Sequence, residues 1–317
     1  MTIAATALIL AGCSNDENGM DNSPVELRLT SGVTVQTRTY TPTQSTTISN
    51  GEKVSVWVDD AGTSGASASP LYEAVQLTAN GSNGFTGEPM YFPKTGNKID
   101  IYAVHGNFTS PFTSRSDFPN GVEYEVVMDQ SIETNYTKSD LLYACEKGVA
   151  RNGNPTSVNL NFYHMLSKLE LAIKIGDGTP TLAASGAVQL NNVTLNGKFT
   201  PSTTATMSEQ SQRANMLKTS GSTFWNMILG QKICNDFDAN VDYNEAILVP
   251  QEMGGKKLTF ALKDGGTLIY TIPENTTFES GKKYQYHITL NLTGITVTSS
   301  IQDWVPETTV SSGSATM

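Results

Sequence analysis

Little in this sequence can hold a metal or activate a nucleophile: its 317 residues include three cysteines and three histidines. Cys13, Cys145 and Cys234 lie far apart and show no CxxC or Cys/His spacing of the kind that builds a zinc site. A disulfide between Cys145 and Cys234 is one reading of that pair; two separately buried thiols is the preferred one. His105, His164 and His287 fall in or beside predicted strands. No serine or cysteine elbow and no HExxH accompanies them, so they read as hydrogen-bonded structural histidines. P-loop and GxGxxG signatures are missing as well. No catalytic residues, no cofactor and no metal are therefore expected, and the chain does not read as an enzyme.

Positive charge is also scarce. Twenty Lys and Arg against 30 Asp and Glu leave a net charge of −10, and the basic residues do not cluster. Nucleic-acid binding, which depends on neutralising phosphates with grouped cations, is excluded on that ground. The acidic stretch NDFDANVDYNE alternates Asp236, Asp238, Asn240 and Asp242. Counted from Asp236, its sixth position is Val241 where an EF-hand needs glycine, and its twelfth is Ile247 where glutamate is needed. It reads as a solvated acidic loop.

Long apolar runs are absent too. Ala4 to Gly12 is too short for a spanning helix, which takes roughly 20 apolar residues. It reads instead as the apolar core of an export signal over residues 1–12. That run closes on Leu10-Ala11-Gly12-Cys13, a match to the bacterial lipobox. Cys13 is thus expected to be acylated and to become the first mature residue, tethering a soluble chain through acyl methylenes worth about 0.8 kcal/mol each. No Lys or Arg precedes Cys13, although export signals begin with a basic stretch, which points to a start codon placed too late. Residues 13–24 read as a polar tether. Within it, Ser14-Asn15-Asp16-Glu17-Asn18 resembles the signal that sends Bacteroidales lipoproteins to the outer face of the outer membrane.

What the chain has in plenty is turn punctuation. Gly, Asn, Asp, Pro, Ser and Thr recur at short intervals between segments rich in Val, Ile, Tyr, Phe and Thr, the pattern of many short strands. Predicted strands include 53–59, 71–78, 98–105, 122–128, 141–146, 158–162, 168–175, 246–249 and 258–262. In LTFALKDGGTLIYTI, Asp264-Gly265-Gly266 supplies a hairpin turn. The best helical candidate, 208–218, is about three turns. The fold class is all-β, and the length suits two sandwich domains, each able to bury its own core.

Both ends are regular. Val25, Leu27, Leu29, Val33 and Val35 alternate with polar residues, which predicts a strand with one buried face. In YQYHITLNLTGITVTSSIQDW, Tyr284 to Leu292 keep one phase; Gly294 then shifts it, as a bulge or a strand break would.

Several stretches together resemble the fimbrillin superfamily, the FimA-like and Mfa-like subunits of Bacteroidales type V pili. They are YFPKTGNKIDIYAVHG (91–106), SDLLYA (139–144), FYHMLSKLELAI (162–173) and GKKYQYHITLNLTGITVTSSIQDW (281–304), together with the lipobox and Thr37-Arg38. The resemblance implies two tandem transthyretin-like, Greek-key β-sandwich domains, here 25–155 and 156–317. It also implies a lipidated precursor whose first strand, 25–38, is removed by an arginine-specific protease. A strand from a neighbouring subunit then fills the groove by donor-strand exchange, giving a fimbria that supports adhesion. Implied partners are other fimbrial subunits, the protease and the outer membrane; the receptor is unknown.

Burying five apolar residues of the 25–35 strand at about 1.5 to 3 kcal/mol each gives roughly 7 to 15 kcal/mol gross. Its loss would leave an open sheet edge able to template another strand. Arg28 lies inside the alternating strand, whereas Arg38 follows it in a Thr-rich stretch where nicking concentrates, so the cut is expected after Arg38. Ile295, Val297, Ile301, Trp304 and Val305 form the candidate donor strand; the competing reading is that they complete their own domain. Trp57, Tyr72, Tyr91, Phe92, Phe112, Trp225 and Tyr243 are assigned mostly to the cores. The alternative function, a non-polymerising surface lipoprotein that binds glycans, would expose some of them to sugar.

Overall fold

In the computed structural model the described residues are 23–33, 48–62, 69–184, 186–232, 241–304 and 314–315. Cys13, Arg38, Val35, Cys234 and Val305 lie outside them, as do the export signal and residues 235–240 of the acidic loop.

Alternating apolar residues between turn formers fold into strands throughout the described residues. The first half of the chain forms β1 (Glu26–Val33), β2 (Lys53–Gly62), β3 (Ser69–Ala79), β4 (Phe85–Thr86), β5 (Met90–Tyr91), β6 (Lys98–His105), β7 (Val122–Glu125), β8 (Leu142–Val149) and β9 (Thr156–His164). All but β7 join one eight-stranded sheet in the order β4-β3-β2-β6-β8-β9-β1-β5. Strand twist curls this sheet until its ends approach: Thr30 bridges Gly84, and the Ser31 amide donates to the Asn83 carbonyl at 2.9 Å.

The central strands are buried on both faces. Val54, Val56, Val58, Ile99, Ile101, Ala103, Leu142 and Ala144 point into a first core with Leu27, Leu29 and Val33 of β1. Trp57, Tyr102, Val104 and Tyr143, out of phase with them, point into a second core shared with the other half of the chain. There Phe108, Phe112 and Phe118, from the segment between β6 and β7, pack edge-on against Trp57, Tyr102 and Tyr124.

The second half forms β10 (Ser167–Ile175), β11 (Val188–Val193), β12 (Asn196–Phe199), β13 (Leu217–Thr219), β14 (Trp225–Ile228), β15 (Gly230–Lys232), β16 (Val241–Leu248), β17 (Gln251–Glu252), β18 (Lys257–Ala261), β19 (Thr267–Thr271), β20 (Thr277–Phe278), β21 (Lys282–Asn291), β22 (Gly294–Asp303) and β23 (Ser314–Ala315). A six-stranded sheet, β15-β16-β10-β21-β22-β23, and a four-stranded sheet, β14-β11-β18-β19, supply residues to the second core. The hairpin at Asp264-Gly265-Gly266 forms as expected, with Ala261 paired to Thr267 and both glycines at positive φ, +95° and +89°.

Several expectations meet different structure. The strand Thr156–His164, placed at the head of the second unit by the sequence, pairs in the first sheet, with β8 and β1. The halves are also joined directly, because β7 pairs antiparallel with β12. Of the helical candidate 208–218 only Gln210–Arg213 is helical; the stretch lacks a continuous apolar stripe, and Leu217 pairs instead with Phe199. At Gly294, where the sequence allowed a bulge or a strand break, the structure has the break: Leu292 and Thr293 turn the chain and Asn291 pairs with Gly294, giving a hairpin of two strands.

Candidate functional site

The site the sequence points to is β1 and the groove that holds it. Val25, Leu27, Leu29, Ser31 and Val33 lie on one face because strand residues alternate with period two. The structure buries Leu27, Leu29, Ser31 and Val33, and half-buries Val25 just before the strand. The walls are Met90 and Phe92 on one side, Leu160 and Phe162 on another, and Val54, Val56, Leu77 and Ala79 across the core.

Two edges grip β1 unequally. On one side it runs parallel to β9 in continuous register from Leu27↔Thr156 to Val33↔Phe162. On the other it pairs with Met90 and Tyr91 of β5, accepts the Phe92 amide at the Val25 carbonyl, and meets the 83–84 turn through the Thr30–Gly84 bridge and the Ser31 amide's bond to Asn83. Side chains secure its start: the Glu26 amide donates to Asn154 Oδ1 at 3.3 Å, and Asn154 Nδ2 donates to the Pro24 carbonyl at 3.3 Å. One edge is thus a seven-residue ladder, and the other is bonded at its two ends, to β5 and to the 83–84 turn.

Arg28 sits mid-strand, opposite Ser157, on the solvent face. Its guanidinium meets Glu26 at 3.0 Å, and that hydrogen bond and charge raise it further above its ordinary value. A protease would have to unzip the strand to read Arg28.

At the other end of the chain, β22 pairs antiparallel with β21 from Gly294 to Asp303. Ile295 and Val297 are half-buried against the second core, Ile301 is exposed, and Trp304 is buried. Trp304 stacks on His164 at 3.7 Å between ring centroids and 5° between planes. His164 Nδ1 in turn lies 2.9 Å from Asp140. His164, one of the three histidines read as structural, is hydrogen-bonded here and fastens the end of β22 to the end of β9.

Behind this hairpin lies a buried ionic group with no clear mark in the sequence. Lys168 contacts Glu170 at 3.0 Å and Glu245 at 2.8 Å, Lys283 lies 3.5 Å from Glu170, and Gln285 donates to Glu170 at 2.8 Å. Burial opposes the charge of Lys168, yet Glu245, Tyr136 and Glu170 together hold its ammonium well above the ordinary range. Lys283 is pushed down by burial, which Glu170 offsets in part. The Lys-x-Glu spacing in SKLELAI put both side chains on one strand face, but that pattern ordinarily marks a wet face.

The aromatic residues divide. Trp57, Phe92 and Phe112 are core; Tyr72 and Tyr243 are half-buried; Tyr91 and Trp225 are exposed. Burial pushes the Cys145 thiol up to about 11, which keeps it protonated and unreactive.

A profile of the family described as fimbrillin-like matches residues 37–304. A Bacteroides uniformis protein named as fimbrium subunit Fim1C is 26% identical over 328 residues, covering 94% of this chain and 92% of its own length. Two solved structures described as cell adhesion proteins share the fold. One, from Bacteroides uniformis, has 22% identity and a TM-score of 0.59; it covers 90% of this chain and 99% of its own. The other, from Bacteroides ovatus, has 18% identity, a TM-score of 0.64 and the same coverage.

Proposed function

This chain belongs to the fimbrillin-like family, and on that premise we propose that it is a subunit of a cell-surface fimbria made ready for assembly by loss of its first strand. The family is one of structural fimbrial subunits rather than enzymes, and its members associate with other fimbrial subunits. The finer steps are our reading: acylation at Cys13, export to the outer membrane surface, cleavage after Arg38 by an arginine-specific protease, and adhesion by the assembled fibre.

The observation that carries this reading is the way β1 is held. Its apolar face fills a core whose strands β4, β3, β2, β6, β8 and β9 pair with one another without it, and only the two-residue β5 joins the sheet through it. The family match begins at residue 37, beyond β1. Departure of the strand would leave an apolar trough beside the unpaired edge of β9, a template for strand addition from a second subunit.

The same logic bears on the donor. Because β22 is tied to β21 by ten register pairs and fastened by Trp304, donating Ile295 to Val305 would require the hairpin to open. We therefore propose that this subunit acts first as an acceptor of another subunit's strand, and that it extends the fibre further only if β22 exchanges.

The test is limited digestion of the chain from residue 20 onward with an arginine-specific protease, reading the new N-terminus by mass spectrometry and the assembly state by sizing. A cut after Arg38, release of β1 and formation of multimers with itself or a co-expressed subunit are expected. Retention of the segment before Arg38 on a chain that assembles would overturn the reading.

A further inference from the structure

A second site lies away from β1, at the seam where the two halves of the chain pair. It is an open cleft of about 310 Å3 whose lining includes Val126, Leu195, Met128 and Trp225, with Asn107, Thr109 and Glu125 also on it. That volume sits at the small end of ligand pockets, roughly 300 to 1,000 Å3.

The cleft is preformed. The Val126 amide donates to the Leu195 carbonyl, the Ile228 amide to Met128, and the Gln130 amide to Ile228, each at 3.0 Å. These bonds stitch the segment after β7 to β12 and β14 and fix both walls. Trp225 pairs with Val193 across a register shift that follows Leu190. Bulges of this sort re-aim side chains, and Asn192, within the shift, adopts a φ of +66° with its amide donating to Asn226 Oδ1.

Trp225 is 42% exposed and Met128 38%, whereas Trp57 and Trp304 are each 1% exposed. Val126 and Leu195 are buried and give the cleft an apolar floor. Among the described residues, the side chains of Asn107, Thr109 and Glu125 make no hydrogen bond, so an amide, a hydroxyl and a carboxylate stand ready around a half-open indole.

We propose that this cleft binds a neutral saccharide, one or two rings at the end of a glycan. A pyranose presents an apolar C–H face suited to the flat indole and a rim of hydroxyls suited to Asn107, Thr109 and Glu125; an aromatic platform flanked by a few placed polar groups is the general form of such sites. Glu125, on a chain of net charge −10, accepts from hydroxyls and repels acidic sugars. This goes beyond the assembly reading: the cleft contains no residue of β1 and does not depend on trimming.

The test uses the unprocessed chain from residue 20, so its outcome is separate from that of strand removal. Because the other two tryptophans are buried, acrylamide quenching of tryptophan fluorescence reads Trp225. Maltose, lactose, cellobiose and mannobiose serve as neutral probes and sialyllactose as the acidic comparator. At least one neutral disaccharide is expected to shield Trp225 at millimolar concentration, with sialyllactose inactive. By isothermal titration, Trp225→Ala should weaken that binding about tenfold or more with unchanged melting temperature, and Glu125→Gln should weaken it while narrowing the gap to sialyllactose. Failure of all four neutral probes to shield Trp225 would overturn the proposal. So would undiminished binding by Trp225→Ala, or a Trp225→Ala chain that loses subunit assembly without any change in sugar binding.

Discussion

A chain that begins at Thr39 lacks β1 and with it the burial of Leu27, Leu29 and Val33, the three apolar side chains the strand places fully in the first core. At about 1.5 to 3 kcal/mol each, the gross loss is roughly 5 to 9 kcal/mol, to which half-buried Val25 adds a fraction. The net stability of a whole domain is about 5 to 15 kcal/mol, so the first core should be left marginal. The second core contains no residue of β1 and should persist. Differential scanning calorimetry is therefore expected to split: one transition stays near that of the full chain, and another falls by roughly 10 °C or more, at about 2 to 4 °C per kcal/mol for domains of 150 to 250 residues. A synthetic peptide covering residues 24–35, added in trans, should raise the lower transition with the logarithm of its concentration, stabilising the first core by about 2.7 kcal/mol at a hundredfold excess over its Kd. The same peptide carrying Leu29→Asp should not. A trimmed chain that melts as the full chain does, or two peptides of equal effect, would refute the account of β1 as the filler of an apolar groove.

The remaining predictions concern the second half and the one described cysteine. Lys168→Met leaves Glu245 and Glu170 short of their shared cation in a buried site, and is expected to cost about 3 to 5 kcal/mol in urea unfolding; a loss below about 1 kcal/mol would mean that water reaches the cluster. With its thiol pushed up to about 11, Cys145 in a Cys234→Ser chain should react with iodoacetamide roughly a hundredfold more slowly than a free cysteine at pH 8, and the rate should climb with each pH unit to beyond pH 10 as the thiolate forms. Labelling at pH 8 as fast as that of free cysteine would place the thiol in open solvent.

Much of the fold was legible because it is local. Short runs rich in Val, Ile, Tyr and Phe between turn formers mark strands whatever they pair with, so the 98–105 and 168–175 strands could be read directly, and period-two alternation revealed the buried face of 25–33. Asp264-Gly265-Gly266 declared its hairpin because the positive φ angles it needs are available to few other residues.

Other features depend on which segments meet. The alternation in β1 says that one face is buried but not that the strand lies parallel to β9 and meets the short β5 on its far edge, since that choice is made by residues far along the chain. Gly294 could be a bulge or a turn, and only the pairing of Asn291 with Gly294 decides it. Lys168 and Glu170 look like a wet face; they are buried because a neighbouring strand brings Glu245 opposite Glu170 and another brings Lys283 opposite Lys168. The three tryptophans are alike in sequence, yet two are sealed and Trp225 opens into a cleft made by segments from both halves. By itself the sequence determined where most strands form and which face the alternating first strand buries, because these follow from neighbours along the chain. Tertiary structure decided what the first strand pairs with, which charges are buried and which tryptophan is exposed, because burial and pairing are properties of contacts between distant segments.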